Sequence, residues 1–300
     1  MAEETGISWC DSTANLWMGC TKLSAACDFC YAEDLMGTEG SRLKQVEWGP
    51  HGIRKYVKKG WADLRKWQRA ANKNGGIDPK LGRRRCVFIN SLSDFFDNHS
   101  SIDLTWRSEA WALFRRCPSL NIILVTKRPQ NIARMLPEFW DEISERFCIM
   151  VTTENQTEFD RRTNAMFDAF KGHNKPGVYA VSAEPLFGPI KFANRARAFL
   201  DWVIAGGESG KEARPSQSDW FRVLRDQCRL YRIPFHFKQW GEWLPVDSGH
   251  PGLDGPGFGE FDHCLVNEPG NATHVFVGSK KAGCFLDGHQ HLEFPWEDQR

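Results

Sequence analysis

Residues 147–184, FCIMVTTENQTEFDRRTNAMFDAFKGHNKPGVYAVSAE, contain two apolar runs separated by an amphipathic stretch. The runs 147–151 and 178–181 are short and rich in β-branched and aromatic residues, which is typical of buried strands. Residues 158–171 between them repeat apolar positions at the spacing of a helix. A strand, a helix and a strand in this order predict a right-handed crossover between parallel strands.

The same alternation continues in both directions along the chain. Further apolar runs predict strands at 86–89, 122–125, 202–205 and 235–237. Further amphipathic stretches predict helices at 104–117, 130–146 and 218–231, the last with Ser218 as its N-cap. Six or more such units predict an α/β fold that is a complete or partial (β/α) barrel. The alternative fold is an open doubly wound sheet.

Two regions do not follow this alternation of strands and helices, and they define the predicted domain organisation. Residues 46–85 interleave basic residues with tryptophan, and we interpret them as an insertion in a barrel domain that spans residues 1–245. Residues 246–300 begin with a stretch rich in Gly and Pro, so we interpret them as a loop and a small C-terminal extension.

Composition excludes some classes of protein. The 300 residues are 41% hydrophobic and 26% charged, which is an ordinary globular mixture. The net charge of +1 provides no global field that would draw the chain onto nucleic acid or an anionic membrane. No apolar run approaches the length of a membrane span and the first residues do not resemble a signal peptide, so we expect a cytoplasmic protein with no membrane partner.

The ten cysteines fall into two groups. Cys86, Cys117, Cys148 and Cys228 lie in or beside apolar segments, which predicts that they are small buried core residues. Cys20, Cys27 and Cys30 are instead spaced C-x6-C-x2-C on one short segment.

Three thiolates on one loop suit a metal centre, because cysteine is a soft ligand. Structural zinc takes four ligands, and neither a second cysteine pair nor a His-x3-His follows nearby. A cluster with three cysteine ligands leaves one iron open for another ligand, so this spacing favours a catalytic iron–sulfur cluster.

Polar residues repeatedly follow the predicted strands, where α/β barrels carry their sites. They occupy 90–94, 126–128, 152–155, 182–184, 206–209 and 238–240. Each could also cap a helix or face water. Their recurrence after six successive strands favours a common functional edge.

Several separated segments carry a family resemblance. They are GCTKLSAACDFCYA, FINSLSDFF, LVTKRP, ENQ, SAEPLFGPI, WVIAGGESG with ARP, FHFKQWGEW and KKAGCFLDG, which together cover the chain from about Trp9 to about Pro295.

The cysteine loop resembles that of the radical S-adenosylmethionine (SAM) superfamily, usually C-x3-C-x-aromatic-C. Phe29 occupies the aromatic position, and the first spacing is longer by three residues. The whole chain resembles a phage-associated family of three-cysteine proteins of unknown function. The resemblance implies a barrel of the radical SAM type.

The resemblance also implies a reaction and its cofactors. In such enzymes a [4Fe-4S] cluster, here on Cys20, Cys27 and Cys30, binds SAM at its open iron. An electron from an external reductant of the flavodoxin or ferredoxin kind then cleaves SAM to give a 5′-deoxyadenosyl radical. If the chain is encoded by a phage, this would take place in the host cytoplasm.

Roles for the strand-end residues follow from the resemblance and from their chemistry. Ser93 and Asp94 replace the family's Gly-Gly-Glu segment and are candidates for the methionine amino group, whereas Glu154 and Asn155 suit the ribose. Lys127 and Arg128 suit the methionine carboxylate or a substrate phosphate. Gly206 and Gly207 permit close approach of a ligand, and Glu208 could bind its hydroxyl or amine. The candidates for the catalytic, substrate-binding side are Glu184 and Lys238, together with Gln239 and Trp240.

The substrate is the least constrained part of the interpretation. Because segment 46–85 interleaves basic residues with tryptophan, a nucleic-acid base or nucleotide is our hypothesis, with tryptophan available for stacking. A solvated amphipathic helix would show the same pattern. The alternative functions are a zinc- or cluster-containing nucleic-acid-binding or repair module without SAM chemistry, and a structural phage protein.

Overall fold

A computed structural model describes residues 4–37, 46–251, 253, 264–268 and 271–296. The strands of this described part are, in chain order, β1 Ser12–Ala14, β2 Trp17–Met18, β3 Lys55–Tyr56, β4 Arg85–Ile89, β5 Leu120–Thr126, β6 Phe147–Thr152, β7 Val178–Ala183, β8 Trp202–Gly206, β9 Phe235–Gln239, β10 Trp243–Pro245, β11 Cys264–Glu268, β12 Asn271–Phe276, β13 Phe285–Leu286 and β14 His289–Gln290.

The helices connect these strands. They are α1 Tyr31–Gly37, α2 Lys58–Asn72, α3 Leu104–Arg115, α4 Ile132–Met135, α5 Trp140–Ile143, α6 Gln156–Asp168, α7 Asn194–Phe199, α8 Ser218–Tyr231 and α9 Ser279–Ala282. Short 3-10 helices occupy Ala25–Cys27, Pro129–Asn131 and Ser144–Arg146. No helix of the described part is long and apolar enough to cross a membrane. The cytoplasmic location stays a prediction.

The main sheet has seven strands in the order β1-β4-β5-β6-β7-β8-β9. The pairs β1–β4, β4–β5, β5–β6 and β8–β9 are parallel. All six predicted strands are confirmed, and the prediction of an α/β fold with them. The order of the strands advances in one direction along the chain, whereas a doubly wound sheet reverses at a switch point. The sheet is therefore compatible with a partial (β/α) barrel.

Two details of the predicted helices are wrong. The predicted helix 130–146 is divided into α4 and α5, because Leu136 is extended (φ −67°, ψ 146°) before Pro137. A residue that precedes proline is disfavoured in the helical region. Helix α8 matches its predicted bounds, but Ser218 is its first residue rather than its N-cap, and its hydroxyl donates to the Asp247 carboxylate at 2.6 Å.

The described residues form two compact units. The first takes its residues from Met1–Thr152, Arg162–Ala180 and Trp296–Arg300, and the second from Thr153–Arg161 and Val181–Pro295. Aromatic side chains pack the core of the first unit, where Trp140 lies 5.9 Å from Trp111 and 5.2 Å from Phe147 between ring centroids. The predicted division at residue 245 stays a prediction, and part of the proposed extension lies outside the described residues.

In the second unit, Trp240 lies 4.8 Å from Phe237 and 5.1 Å from Phe221 between ring centroids. It is only 1% exposed, and its indole nitrogen donates to the Phe285 carbonyl at 2.8 Å. Trp240 is therefore a core residue, and its proposed place on the substrate side is wrong. Strands β10, β12 and β11 add a small antiparallel sheet to this unit.

The basic and aromatic segment 46–85 contains helix α2, whose two faces differ sharply. Trp61, Leu64 and Trp67 are buried, while the basic side chains of the helix, such as Lys58 and Arg65, are exposed. The prediction that its tryptophans are available for stacking is wrong for Trp61 and Trp67, because they anchor the helix to the core. The burial of Cys86, Cys117, Cys148 and Cys228 is confirmed.

Candidate functional site

The cysteine loop, residues 19–30, begins at the carboxyl-terminal edge of the sheet. Backbone N–H of Gly19 donates to the carbonyl of Leu92, in the segment after β4, at 3.0 Å. Just before the loop, the N–H of Leu16 donates to the side-chain oxygen of Asn90 at 2.8 Å. Because β1 and β4 are parallel neighbours, these bonds fix the start of the loop at the edge where α/β barrels carry their sites.

The three cysteines of the loop are free thiols in different local structures. Cys27 is buried in the 3-10 helix Ala25–Cys27, and Cys30 directly precedes α1. Across the described ranges, no three Cys, His, Asp or Glu side chains come together as ligands of a single metal ion. An iron–sulfur cluster does not require three ligands to meet at a single atom, because each thiolate binds a different iron.

Three buried arginines donate hydrogen bonds to the cysteine loop. Arg54 donates to the Thr21 hydroxyl at 2.7 Å, Arg128 to the Thr21 carbonyl at 3.0 Å, and Arg162 to the Ser24 hydroxyl at 2.9 Å. All three are at most 5% exposed. They come from distant positions in the chain, and together they hold the half of the loop that joins Cys20 to Cys27.

Arg128 also contacts a cysteine directly. One of its terminal nitrogens lies 3.5 Å from the Cys20 sulfur and 3.0 Å from a carboxylate oxygen of Asp94. Burial raises the pKa of the Cys20 thiol to about 11, although the positive charge of Arg128 opposes this shift. Burial by itself would lower the pKa of Arg128, but Asp94, Cys20 and Asp97 raise it by more. Arg128 therefore keeps a positive charge beside the sulfur.

Asp94 is the most heavily bonded carboxylate in this region. It accepts from the Thr126 hydroxyl at 2.8 and 3.0 Å, from the Lys127 N–H at 3.1 Å and from the Phe96 N–H at 2.9 Å, besides Arg128. It is 5% exposed. Two donors contact Oδ1 and three contact Oδ2, with the Thr126 hydroxyl shared between them, which fills the acceptor capacity of a carboxylate. These contacts suit a residue that positions Arg128 and the segment after β5.

Ser93 and Lys127 occupy the neighbouring positions. The Ser93 hydroxyl donates to the Trp17 carbonyl at 2.9 Å and so ties the segment after β4 to β2. Lys127 is half-buried, with its N–H bound by Asp94. Among the predicted cofactor residues of the first unit, the structure therefore brings Cys20, Asp94 and Arg128 into one hydrogen-bonded group.

In the second unit the two predicted catalytic residues form an ion pair. Lys238 at the end of β9 lies 2.9 Å from a carboxylate oxygen of Glu184, which follows β7. Gly206, at the end of β8, leaves room for the carboxylate in this position, since a Cβ there would lie 2.7 Å from the same oxygen. Glu184, Gly206 and Lys238 thus converge at the carboxyl ends of three strands.

Glu208 and Gly207 have structural partners instead. The Glu208 carboxylate binds the Arg214 guanidinium with distances of 2.7 and 2.8 Å, and Arg214 lies over the ring of Phe187 at 4.1 Å. A Cβ at Gly207 would lie 1.8 Å from the carbonyl oxygen of Trp240, so only glycine fits this close approach of two chain segments. Gly207 and Glu208 therefore contact other residues of the second unit.

Glu154 and Asn155 lie at the start of α6. Glu154 is 1% exposed, and its carbonyl accepts from the Phe187 N–H at 2.7 Å. The Asn155 side-chain oxygen accepts from the Glu158 N–H at 3.0 Å, which is the bond of a helix N-cap. Asn155 therefore caps the following helix, which is one of the alternatives considered for the strand-end residues.

Sequence reasoning missed Arg54, Asp97 and Arg162. Arg54 forms an ion pair with Asp97 at 2.9 Å, and Asp97 also lies 3.5 Å from Arg128. Asp97 follows the quoted segment FINSLSDFF directly, which was a usable signal. Arg54 and Arg162 stand among many other arginines, and nothing local marks them as buried.

The described fold and site define an α/β protein with a parallel sheet and an arginine-held loop of three cysteines at its carboxyl-terminal edge. The chain belongs to the family described as Protein of unknown function (DUF5131), whose model matches residues 4–295. No curated protein sequence matches the chain.

Proposed function

We propose that this protein is a radical SAM enzyme that holds a [4Fe-4S] cluster on Cys20, Cys27 and Cys30. The observation that carries the proposal is the loop of three free thiols at the carboxyl-terminal edge of a parallel sheet, held by three buried arginines. The phage association and the external one-electron reductant belong to the same proposal, and they rest on the family resemblance of the sequence.

The residues present fit such a group by their chemistry. Three thiolates carry negative charge into a partly buried site, in which Cys27 is buried and Cys20 and Cys30 are half-buried, and an unpaired charge is unfavourable there. The guanidinium of Arg128 beside the Cys20 sulfur offsets that charge and donates a hydrogen bond to it. When bound, the cluster supplies the electron that breaks a carbon–sulfur bond of SAM.

The contacts of the chain refine the roles proposed for its polar residues. Asp94 and Arg128 are occupied with each other and with the cysteine loop, so we assign them to positioning of that loop. Lys127 remains the candidate for the methionine carboxylate, and Ser93 for its amino group. Glu154 and Asn155 remain candidates for the ribose.

On the substrate side, the Glu184–Lys238 pair is the candidate for binding or proton transfer. The pair is only partly exposed, with side-chain exposures of 12% and 28%. The ion pair orients both side chains, and a polar substrate group could replace either partner. Gly206 would then serve the pair by leaving space for the carboxylate.

Cleavage of SAM tests the proposal directly. Anaerobically reconstituted protein with dithionite and SAM is expected to release 5′-deoxyadenosine and methionine in equal amounts, slowly in the absence of substrate. Chromatography of the products measures both, and the same mixture without dithionite is the control. A fully loaded cluster that yields neither product, with or without candidate substrates, would overturn the SAM chemistry.

A nucleic-acid or nucleotide substrate is the finer part of the proposal. It is supported by the exposed basic face of α2, although Trp61 and Trp67 cannot contribute stacking because they are buried. Of the hypothesis made from the sequence, only the attraction between basic residues and phosphates is therefore retained.

Neutralising Lys55, Lys58, Lys59 and Arg65 with Gln is expected to weaken binding of DNA or RNA and to flatten its salt dependence. Each lost phosphate contact removes about 0.7 to 0.9 from the slope of log K against log salt. Salt-titrated fluorescence anisotropy measures this slope. Gln at four exposed basic positions elsewhere, Arg161, Lys171, Lys175 and Lys191, is the matched control. Equal slopes for wild type and the α2 variant would remove α2 from the substrate site.

A further inference from the structure

A cavity of about 610 Å³ lies within the second unit, at the amino-terminal end of β9. This end is opposite to the one that carries Lys238. The cavity, called the basic cavity below, is lined by Arg225, Asp226, Cys228, Arg229, Arg232, Ile233, Pro234, Phe235, His289, His291 and Glu293. Its walls are the end of α8, the start of β9 and the segment around β14. Its volume is that of a small-molecule site.

The arginines of the basic cavity differ in their partners. Arg225 pairs with Asp226 at 2.9 Å and with Asp287 at 2.6 Å. Arg229 and Arg232 are exposed and form no ion pair with any described residue. Three arginines against Asp226 and Glu293 leave the lining with a surplus charge of +1.

Two arginines at a helix end could have a purely structural role, in which they donate hydrogen bonds to its last carbonyls. Here backbone N–H groups already satisfy two of them. The Cys228 carbonyl accepts from the Ile233 N–H at 2.9 Å, and the Arg229 carbonyl accepts from the Arg232 N–H at 3.4 Å. The two guanidiniums are thus not needed by the carbonyls of Cys228 and Arg229.

The backbone conformation of Arg232 is a second indication that its side chain has a function. Its φ of +57° and ψ of +39° place it in the left-handed region, where helices commonly end on glycine or asparagine. A long side chain in this conformation costs free energy, since the left-handed region is disfavoured for residues with a Cβ. At this position it turns the chain from α8 into β9 and brings the guanidinium to the cavity.

We propose that the basic cavity binds the phosphoryl group of a ligand of mononucleotide size. The two unpaired guanidiniums of Arg229 and Arg232 offer more donors than the two oxygens of a carboxylate require, and they match a phosphate better. The site is independent of the proposed radical chemistry.

Binding of adenosine 5′-monophosphate to the full-length chain, measured by calorimetry with adenosine as the comparison, tests this site. The monophosphate is expected to bind and adenosine is not. Replacing Arg229 and Arg232 together by Gln is expected to weaken binding about tenfold or more, because each removes a charged donor. Lys at both positions keeps the charge and should lose less. A 5′-phosphorylated oligonucleotide and its unphosphorylated form distinguish a nucleic-acid end from a free nucleotide.

Arg115→Gln with Arg116→Gln is the matched control, since these exposed arginines occupy the last turn and the C-cap of α3. This control is expected to bind the monophosphate as the wild type does. Circular dichroism would establish that all variants are folded. Three results would overturn the proposal: no binding of any phosphorylated probe, equal binding of adenosine and its monophosphate, or an equal loss in the control variant.

Discussion

Replacing Cys20, Cys27 and Cys30 by Ala is expected to abolish cluster assembly. Anaerobic reconstitution of the wild type should yield about four iron atoms and four sulfides per chain, whereas the triple variant should retain only background. The brown colour and the cluster absorption should disappear with them. The physical reason is that the loop provides all three proposed thiolate ligands, and no other cysteine lies in this loop.

Cys264→Ala with Cys284→Ala is the appropriate control for that experiment. These two cysteines are exposed and half-buried, so their replacement leaves no cavity in the core, unlike that of Cys117 or Cys228. The control should load iron and sulfide as the wild type does. Stoichiometric iron and sulfide in the triple variant would exclude these three cysteines as the cluster ligands, and zinc in the wild type would favour the alternative of a zinc module.

Asp94→Ala is expected to cause the largest loss of stability among the predicted site residues. The carboxylate is buried and accepts from Thr126, Lys127, Arg128 and Phe96, so its removal leaves the Arg128 charge without its nearest partner. Removing one member of a buried ion pair lowers the free energy of unfolding by about 3–5 kcal/mol. Urea denaturation followed by circular dichroism measures this loss.

Glu142→Ala is the matched control, because it removes one partner of the exposed pair Arg115–Glu142, whose side chains are 51% and 55% exposed. Its expected loss is within about 1 kcal/mol. An equally small loss for Asp94→Ala would show that Asp94 does not hold this network. Because Arg128 binds both Asp94 and the cysteine loop, the Asp94 variant is also expected to load its cluster poorly.

Much of the fold was predictable because its strands are long, apolar and bounded by polar residues. The six predicted strands and the bounds of α8 are correct for this reason. Strand β1, Ser12–Ala14, has only three residues without an apolar run, and its pairing with β4 involves residues about 75 positions away. Long-range pairing of this kind leaves no local signal. The break at Pro137 had a local signal in the proline itself, which the amphipathic pattern outweighed.

At the candidate site, the sequence predicted which kinds of side chain are present better than it predicted which of them are in contact. The spacing of the cysteines marked their loop, and the pair Glu184–Lys238 came from two strand ends that were singled out separately. Which side chains are buried could not be deduced, since Arg54 and Arg162 differ from exposed arginines only through tertiary packing. The pattern of α2 was equally ambiguous, because tryptophans between basic residues can face the core or the solvent.

The three arginines on the cysteine loop have a consequence for how the proposed iron–sulfur cluster would be acquired. Their side chains come from segments near residues 54, 128 and 162, so the loop takes its shape only after most of the first unit has folded. In small zinc modules the metal drives folding, and the apoprotein is unfolded. For the proposed cluster, iron and sulfide would instead be inserted into an already ordered chain, and its loss would leave the protein folded.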